Sequence, residues 1–209
     1  FEAGVNGPDI ERHLQARGYT LGHYPQSWEL STLGGWIVTR SRGQQPYHYG
    51  RIEDLFAGGH VETPQGALDL WTRPASAAGP DLRQLILGSE GRYGILTRAT
   101  VRVQKLPEIE AFYGIFFHDW ASGAQAVREI VQAGIPVSML RLSNAIETDT
   151  TLRLSGKDQL VGFAKRGLNL IKYGDERSLL VLGVTGDRAT TDFAYRAALA
   201  IAHQHGGFA

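Results

Sequence analysis

"LILGSEGRYGIL", residues 85–96, places Gly88, Gly91 and Gly94 at intervals of three between two apolar runs. Glycines in such a setting mark tight turns, or points where another group approaches the main chain closely. The spacing matches neither the dinucleotide fingerprint G-x-G-x-x-G nor the phosphate loop G-x-x-x-x-G-K-[ST]. It also misses the kinase glycine loop by one position. Local pattern alone leaves plain turn glycines and a ligand contact equally open. Context favours a ligand, because Ser89 and Glu90 sit inside the loop and a strand-like run follows at once. In that run, "ILTRATVRVQKLP", Leu96, Arg98, Thr100 and Arg102 alternate with Thr97, Ala99, Val101 and Val103. The alternation predicts one strand with one buried face, ended by Pro107.

Upstream, "GPDIERHLQARG" (7–18) predicts a short helix, with Pro8 in its first turn, Asp9 at its positive end and Gly18 at its exit. Residues 23–50 are rich in Gly, Ser, Thr, Pro and aromatics and show no sustained period. A long irregular segment in a folded protein is usually functional or disordered, and Trp28, Trp36 and the tyrosines argue against disorder. Within it, Ser31, Thr32, Gly34 and Gly35 of "STLGGWIVTR" read as a small-residue turn. Such a turn exposes successive N–H groups to an anion, or simply supports Trp36. "GGHVETPQGALDLW" (58–71) predicts a hairpin turning at Pro64-Gln65-Gly66, and "PASAAGPDLRQLILGSEG" (74–91) a loop leading into a short helix.

Beyond Pro107 the pattern changes to βαβαβα. "IEAFYGIFFHDW" reads as a strand and "SGAQAVREIVQAG" as a helix with Ala124, Val127, Ile130 and Val131 on one face. "IPVSMLRLS" follows as a strand, residues 157–174 as a helix, "SLLVLGVTG" as a strand, and residues 187–207 as a last helix capped by Asp187, Thr190 or Thr191. The expected organisation is two domains, 1–107 irregular and 108–209 α+β.

Lys plus Arg and Asp plus Glu are 21 each, so the formal net charge is zero and no nucleic-acid partner is expected. Without cysteine, disulfides, thiol nucleophiles and thiolate-ligated metals are excluded within this chain. His203 and His205, two apart on a helix, do not share a face, so a metal site is not expected; proximity to the helix's negative end accounts for them better. Arg141 sits among apolar strand residues. It is either an edge residue reaching solvent or a cation awaiting an anion. The chain opens on Phe1 and continues past a helix into Gly206-Gly207, so a piece of a longer protein is expected.

Taken in order, "STLGGWIVTR", "YGRIEDL", "VETPQGAL" and "GPDLRQLILGSEGRYGILTRATVRV" resemble the flavin-binding domain of the vanillyl-alcohol oxidase family. "GYTLGHYPQSWELSTLGGWIVTR", "AGPDL" and "SMLRLS" are similar to a subgroup of that family that makes ether-lipid precursors. The resemblance implies an α+β fold: the C-terminal part of a PCMH-type FAD-binding domain, then the start of a ferredoxin-like cap domain. It implies three FAD-contacting segments: Gln26, Ser27, Trp28, Glu29, Leu30, Ser31 and Thr32; Thr39, Arg40, Ser41 and Arg42; and Glu90, Gly91, Arg92, Tyr93, Gly94, Ile95 and Leu96. It assigns Arg141 to a substrate phosphate. The implied reaction exchanges the acyl group of an acyl-dihydroxyacetone phosphate for a fatty alcohol; the alternative is an FAD-linked oxidase or dehydrogenase of a 2-hydroxy acid such as lactate or glycolate. The family's pyrophosphate loop is expected before Phe1, and its catalytic tyrosine and histidine cluster after Ala209. A phosphate-bearing small-molecule or lipid substrate is expected, with membrane-surface association and a homodimer left open. The expected compartment is the cytoplasm, or the peroxisome in an animal.

Overall fold

The computed structural model describes residues 1–74, 78–154 and 176–209. The helix expected over 157–174 lies outside them. The chain divides into two units, Phe1–Leu106 and Pro107–Ala209, each with its own core.

In the first unit, Asn6 caps α1 (Gly7–Gln15) by accepting the Asp9 N–H at 3.0 Å, and Ile10 and Leu14 turn inward. The buried Glu11 carboxylate accepts from the Leu21 and Gly22 N–H groups and from the Thr20 hydroxyl. This locks the turn after β1 (Tyr19–Thr20) and fixes where the next loop departs. Within the irregular stretch the chain forms a helix that the periodicity does not show, α2 (Leu33–Thr39). Two glycines weaken its propensity, but Thr32 caps it, and Leu33, Trp36 and Ile37 are buried. Short α3 (Pro46–Tyr49) and α4 (Ile52–Leu55) lead to β2 (Phe56–Thr63) and β3 (Gly66–Leu70), the expected hairpin, and α5 (Arg83–Ile86) precedes the glycine loop.

β4 (Ile95–Val101) completes a three-stranded sheet in the order β3-β2-β4, and β5 (Gln104–Lys105) pairs with β1. The simple alternation expected for β4 does not hold. Leu96 and Ala99, which belong to opposite alternating sets, are both buried. The register skips Thr97 between His60↔Arg98 and Val61↔Leu96, a bulge that turns the strand over. Thr97 is held there by donating its hydroxyl to the His60 carbonyl and accepting the Ala3 N–H.

In the second unit β6 (Ile109–Phe117), α6 (Trp120–Gln132) and β7 (Met139–Ser143) form a split unit. β8 (Ser178–Gly186) inserts between the two strands and runs antiparallel to both, giving the order β6-β8-β7. α7 (Ala145–Leu154) follows β7, and α8 (Arg188–Gln204) follows β8, capped by the Asp187 carboxylate. α6 and α8 cover one sheet face, where Ile115, Phe117, Leu180 and Leu182 meet Ala126, Ile130, Ala194 and Ala198. The buried side of α6 is Gly123, Ala126 and Ile130, with Val127 beside them; Val131, placed on that face by sequence spacing, is exposed.

Candidate functional site

The glycine loop docks on the C-terminal end of α2. The Gly88 N–H donates to the Ile37 carbonyl at 3.2 Å and the Glu90 N–H to the Val38 carbonyl at 2.9 Å. Arg40 closes the junction: its Nε donates to the Leu87 carbonyl at 3.1 Å and its Nη2 to Gln84 Oε1 at 3.2 Å. Arg40 and Glu90 are, among the described residues, the two non-glycine positions with positive φ, 51° and 52°. Left-handed non-glycine residues are strained, and such strain concentrates at functional sites. Here it sits where the second and third candidate segments meet. Gly94, at φ 148°, is required by the fold, because a Cβ would collide with the Glu62 carbonyl.

Beside this junction lies a cleft of about 300 Å³. Gly91, Gly94, Ile95 and Leu96 line it from the glycine loop and β4. Thr32, Gly34, Gly35 and Val38 line it from α2 and its cap, and Ala3 and Gly4 from the first residues of the chain. The structure thus joins the third segment to the end of the first and adds a strip that sequence reading missed. Gly4 gave no recognisable motif, and its only signal is conformational. Its φ is not left-handed, and a Cβ there would meet nothing within 4 Å. Nothing in the fold needs a glycine at that position.

Of the two readings of Ser31–Gly35, the hydrogen bonds favour the turn that supports Trp36 over an anion nest. The Leu33 N–H donates to the Val5 carbonyl, the Gly34 N–H to the Ala3 carbonyl, and the Gly35 N–H to Thr32 Oγ1. Those donors are spent inside the protein, and Ser31 Oγ receives the Trp36 indole N–H at 2.6 Å. Gln26, Ser27, Trp28, Glu29 and Leu30 instead line a separate hollow of about 320 Å³, with Leu30 89% exposed. In the second segment every side chain has a protein partner. Thr39 donates to the Gly35 carbonyl, Ser41 bonds the buried His23, and Arg42 lies 3.4 Å from Glu53. Burial pushes the His23 ring down to about 4, against the pull of Glu53. In the third segment the Arg92 and Tyr93 side chains are exposed. A larger hollow of about 520 Å³, reaching His60, Trp71 and Arg98, contains none of the predicted residues.

In the second unit the sheet face away from α6 and α8 carries Arg141. The register sets Arg141 beside Val181, and Val181 beside Gly114. Met139 and Phe112 occupy the adjoining row. Arg141 is exposed and makes no ion pair among the described residues. The edge-strand alternative of the sequence holds for its position, since β7 is an outer strand, and no described residue forms an ion pair with it. His205, by contrast, is bonded to Glu129 at 2.7 Å, and no cluster of three metal-ligating side chains occurs among the described residues.

Two family descriptions match the chain. Residues 1–69 match an FAD binding domain, and residues 106–209 the C-terminal domain of FAD linked oxidases. The chain belongs to the FAD-linked oxidase family.

The flavoprotein resemblance seen in the sequence, its α+β fold and its cofactor FAD are thereby borne out. The chain is similar to alkyldihydroxyacetonephosphate synthase of Dictyostelium discoideum, 34% identical over 92% of this chain and 33% of that protein. The Trypanosoma brucei brucei protein of the same name is 35% identical over 92% of this chain and 32% of that protein. A solved alkyldihydroxyacetonephosphate synthase superposes with a TM-score of 0.88 at 30% identity, over 99% of this chain and 38% of that one. More weakly, a mitochondrial D-lactate dehydrogenase [cytochrome] of Arabidopsis thaliana is 28% identical over 75% of this chain and 28% of that protein. The chain spans about a third of the length of the curated relatives it matches.

The residues of the flavoprotein cleft suit one part of FAD. Its lining is made of glycines, Ala3, Val38, Ile95 and Leu96 with the Thr32 hydroxyl, and it holds no charged side chain. Such a surface accepts a flat apolar ring system. It does not suit a pyrophosphate, which calls for cations or free N–H groups.

Proposed function

We propose that the intact protein is an FAD-dependent enzyme that exchanges the acyl group of an acyl-dihydroxyacetone phosphate for a fatty alcohol. The observation that carries this reading is Arg141, an exposed cation with no ion pair among the described residues, in a stretch of sheet face whose nearest register neighbours are Val181, Gly114, Met139 and Phe112. A planar guanidinium grips a phosphate with two parallel hydrogen bonds. The similarity to two alkyldihydroxyacetonephosphate synthases over nine-tenths of the chain supports the same substrate class. In the exchange an ester C–O bond breaks, the fatty acid leaves, and the alcohol oxygen bonds to the same carbon, so no net oxidant is consumed. When bound, FAD supplies an electron-poor ring able to take part without net redox change. Arg141 holds the phosphate and so orients the three-carbon unit, while the cleft around Gly4, Gly91 and Gly94 seats the ring.

In the intact protein, Arg141→Ala is expected to weaken binding of the phosphate substrate by roughly 10- to 100-fold, the equivalent of losing a charge-assisted hydrogen-bond pair. Bound flavin should be unchanged. Loss of flavin, or undiminished substrate binding, would remove Arg141 from this role.

A second reading, an FAD-linked oxidoreductase of a 2-hydroxy acid, is favoured by the D-lactate dehydrogenase similarity, since an arginine binds a carboxylate equally well. Anaerobic mixing with D-lactate or glycolate separates the two. The synthase reading expects the flavin to stay oxidised; rapid bleaching selects the oxidoreductase. A place at a membrane surface in the cytoplasm, or in the peroxisome of an animal, belongs to the synthase reading because its product is a lipid. Cell fractionation tests that placement, and sedimentation tests the homodimer.

A further inference from the structure

Gly114 stands in the middle of the nine-residue strand β6, where glycine weakens a strand and commonly marks the close approach of a ligand or another backbone. The fold gives no reason for it. Its φ is not left-handed, and a Cβ built there would meet only Leu179 Cδ1, at an ordinary 3.5 Å. Gly183, on the same face one strand away, is different: a Cβ there would press on Met139 Cβ and Ser138 Oγ at 2.8 Å and on the Phe112 ring at 3.0 Å. One glycine is imposed by packing; at the other a side chain would fit, touching only Leu179 among the described residues.

That position lies in the same row as the cation. Gly114, Val181 and Arg141 form one row across the three strands, with Gly114 and Arg141 exposed and Val181 half-buried between them. Two strand spacings, about 10 Å, separate the ends of the row. Residues two apart along a strand share a face, so Phe112 and Phe116 flank Gly114 and make its position a notch between two aromatic side chains. A small anion whose phosphate sits on Arg141 would lay its carbon skeleton along this row toward the notch.

We infer that Gly114 is a specificity-determining residue, which keeps the strip beside Arg141 clear for the three-carbon skeleton of a phosphate monoester. The inference rests on the reading of Arg141 as the phosphate anchor. The charge supports an anionic occupant, and the notch supports one that is narrow next to its phosphate.

The test uses the intact protein loaded with FAD, titrated calorimetrically with dihydroxyacetone phosphate. Gly114→Ala is expected to weaken binding about tenfold, as one added methyl does in a fitted pocket, and Gly114→Val to weaken it further. Flavin content should stay the same, and the thermal midpoint of the alanine variant should be equal or higher. The inference is overturned if Gly114→Ala and Gly114→Val bind the ligand as the parent does while Arg141→Ala loses it. If Arg141→Ala also binds normally, the anchor reading falls and the inference with it. A fall in affinity accompanied by a lower thermal midpoint for Gly114→Ala would overturn it too, since it would show that the fold did need the glycine.

Discussion

At the scale of single residues, Gly4 and Gly94 show two different reasons for keeping a glycine. Gly94 is sterically compelled by the Glu62 carbonyl, whereas Gly4 faces empty space in the cleft. Gly4→Ala should therefore leave stability unchanged, or slightly raised, while reducing FAD affinity several-fold; unfolding and flavin titration measured together check this. Unaltered flavin affinity would place the ring elsewhere. Two histidines of the same unit should oppose one another in pH dependence. His60, hydrogen-bonded to Asp69 at 2.6 Å and Glu62 at 3.0 Å, has its pKa raised above 6.5. Its contribution is complete below about pH 6.5 and fades as pH climbs through the folded value. His23 is buried and neutral, with its pKa near 4 when folded, so its site favours the fold above pH 6.5 and loses that advantage as pH falls toward 4. The loss amounts to roughly 3 kcal/mol in all. Urea unfolding between pH 7.5 and pH 4.5 should show net weakening on acidification, and His23→Gln should flatten it. An acid limb as steep in that variant as in the parent would sink the assignment.

At the scale of elements, α2 and β4 do most to shape the cleft, and both depart from their local patterns. α2 holds two glycines and only seven residues, so propensity argues for a turn; its Thr32 cap and the buried Leu33, Trp36 and Ile37 override that weakness. Thr32→Ala should lower unfolding stability by about 1 kcal/mol with an unchanged denaturant slope. A change below a few tenths would show that burial alone sustains the helix. The β4 bulge has no local signature, because its cause is Ala3, 94 positions away in sequence, donating to the Thr97 carbonyl. The exposure of Val131 on α6 is set the same way, by which partners reach that side of the helix.

At the scale of the whole molecule, each unit is organised around its own cluster of apolar side chains. Leu182→Ala, at a fully buried position of β8, should destabilise the second unit by about 2–5 kcal/mol. In hydrogen exchange, amides of β6 and β8 should lose protection while those of α2 and β2 keep it. Equal loss in both would show that the two cores unfold as one. Much of this molecule was legible before any coordinates. Hydrophobic period, turn residues and caps act locally, so they marked α1, the β2–β3 hairpin, β6, β8 and α8, and the ordered motifs carried the family and its cofactor. Charge and residue type drew attention to Arg141 but left its role open, and the resemblance alone assigned it a phosphate. What the sequence could not show is where a main-chain donor is already spent, as at Leu33, Gly34 and Gly35, or where a missing side chain leaves space, as at Gly4 and Gly114. Those properties belong to distant segments meeting in three dimensions, so only the tertiary structure decided them.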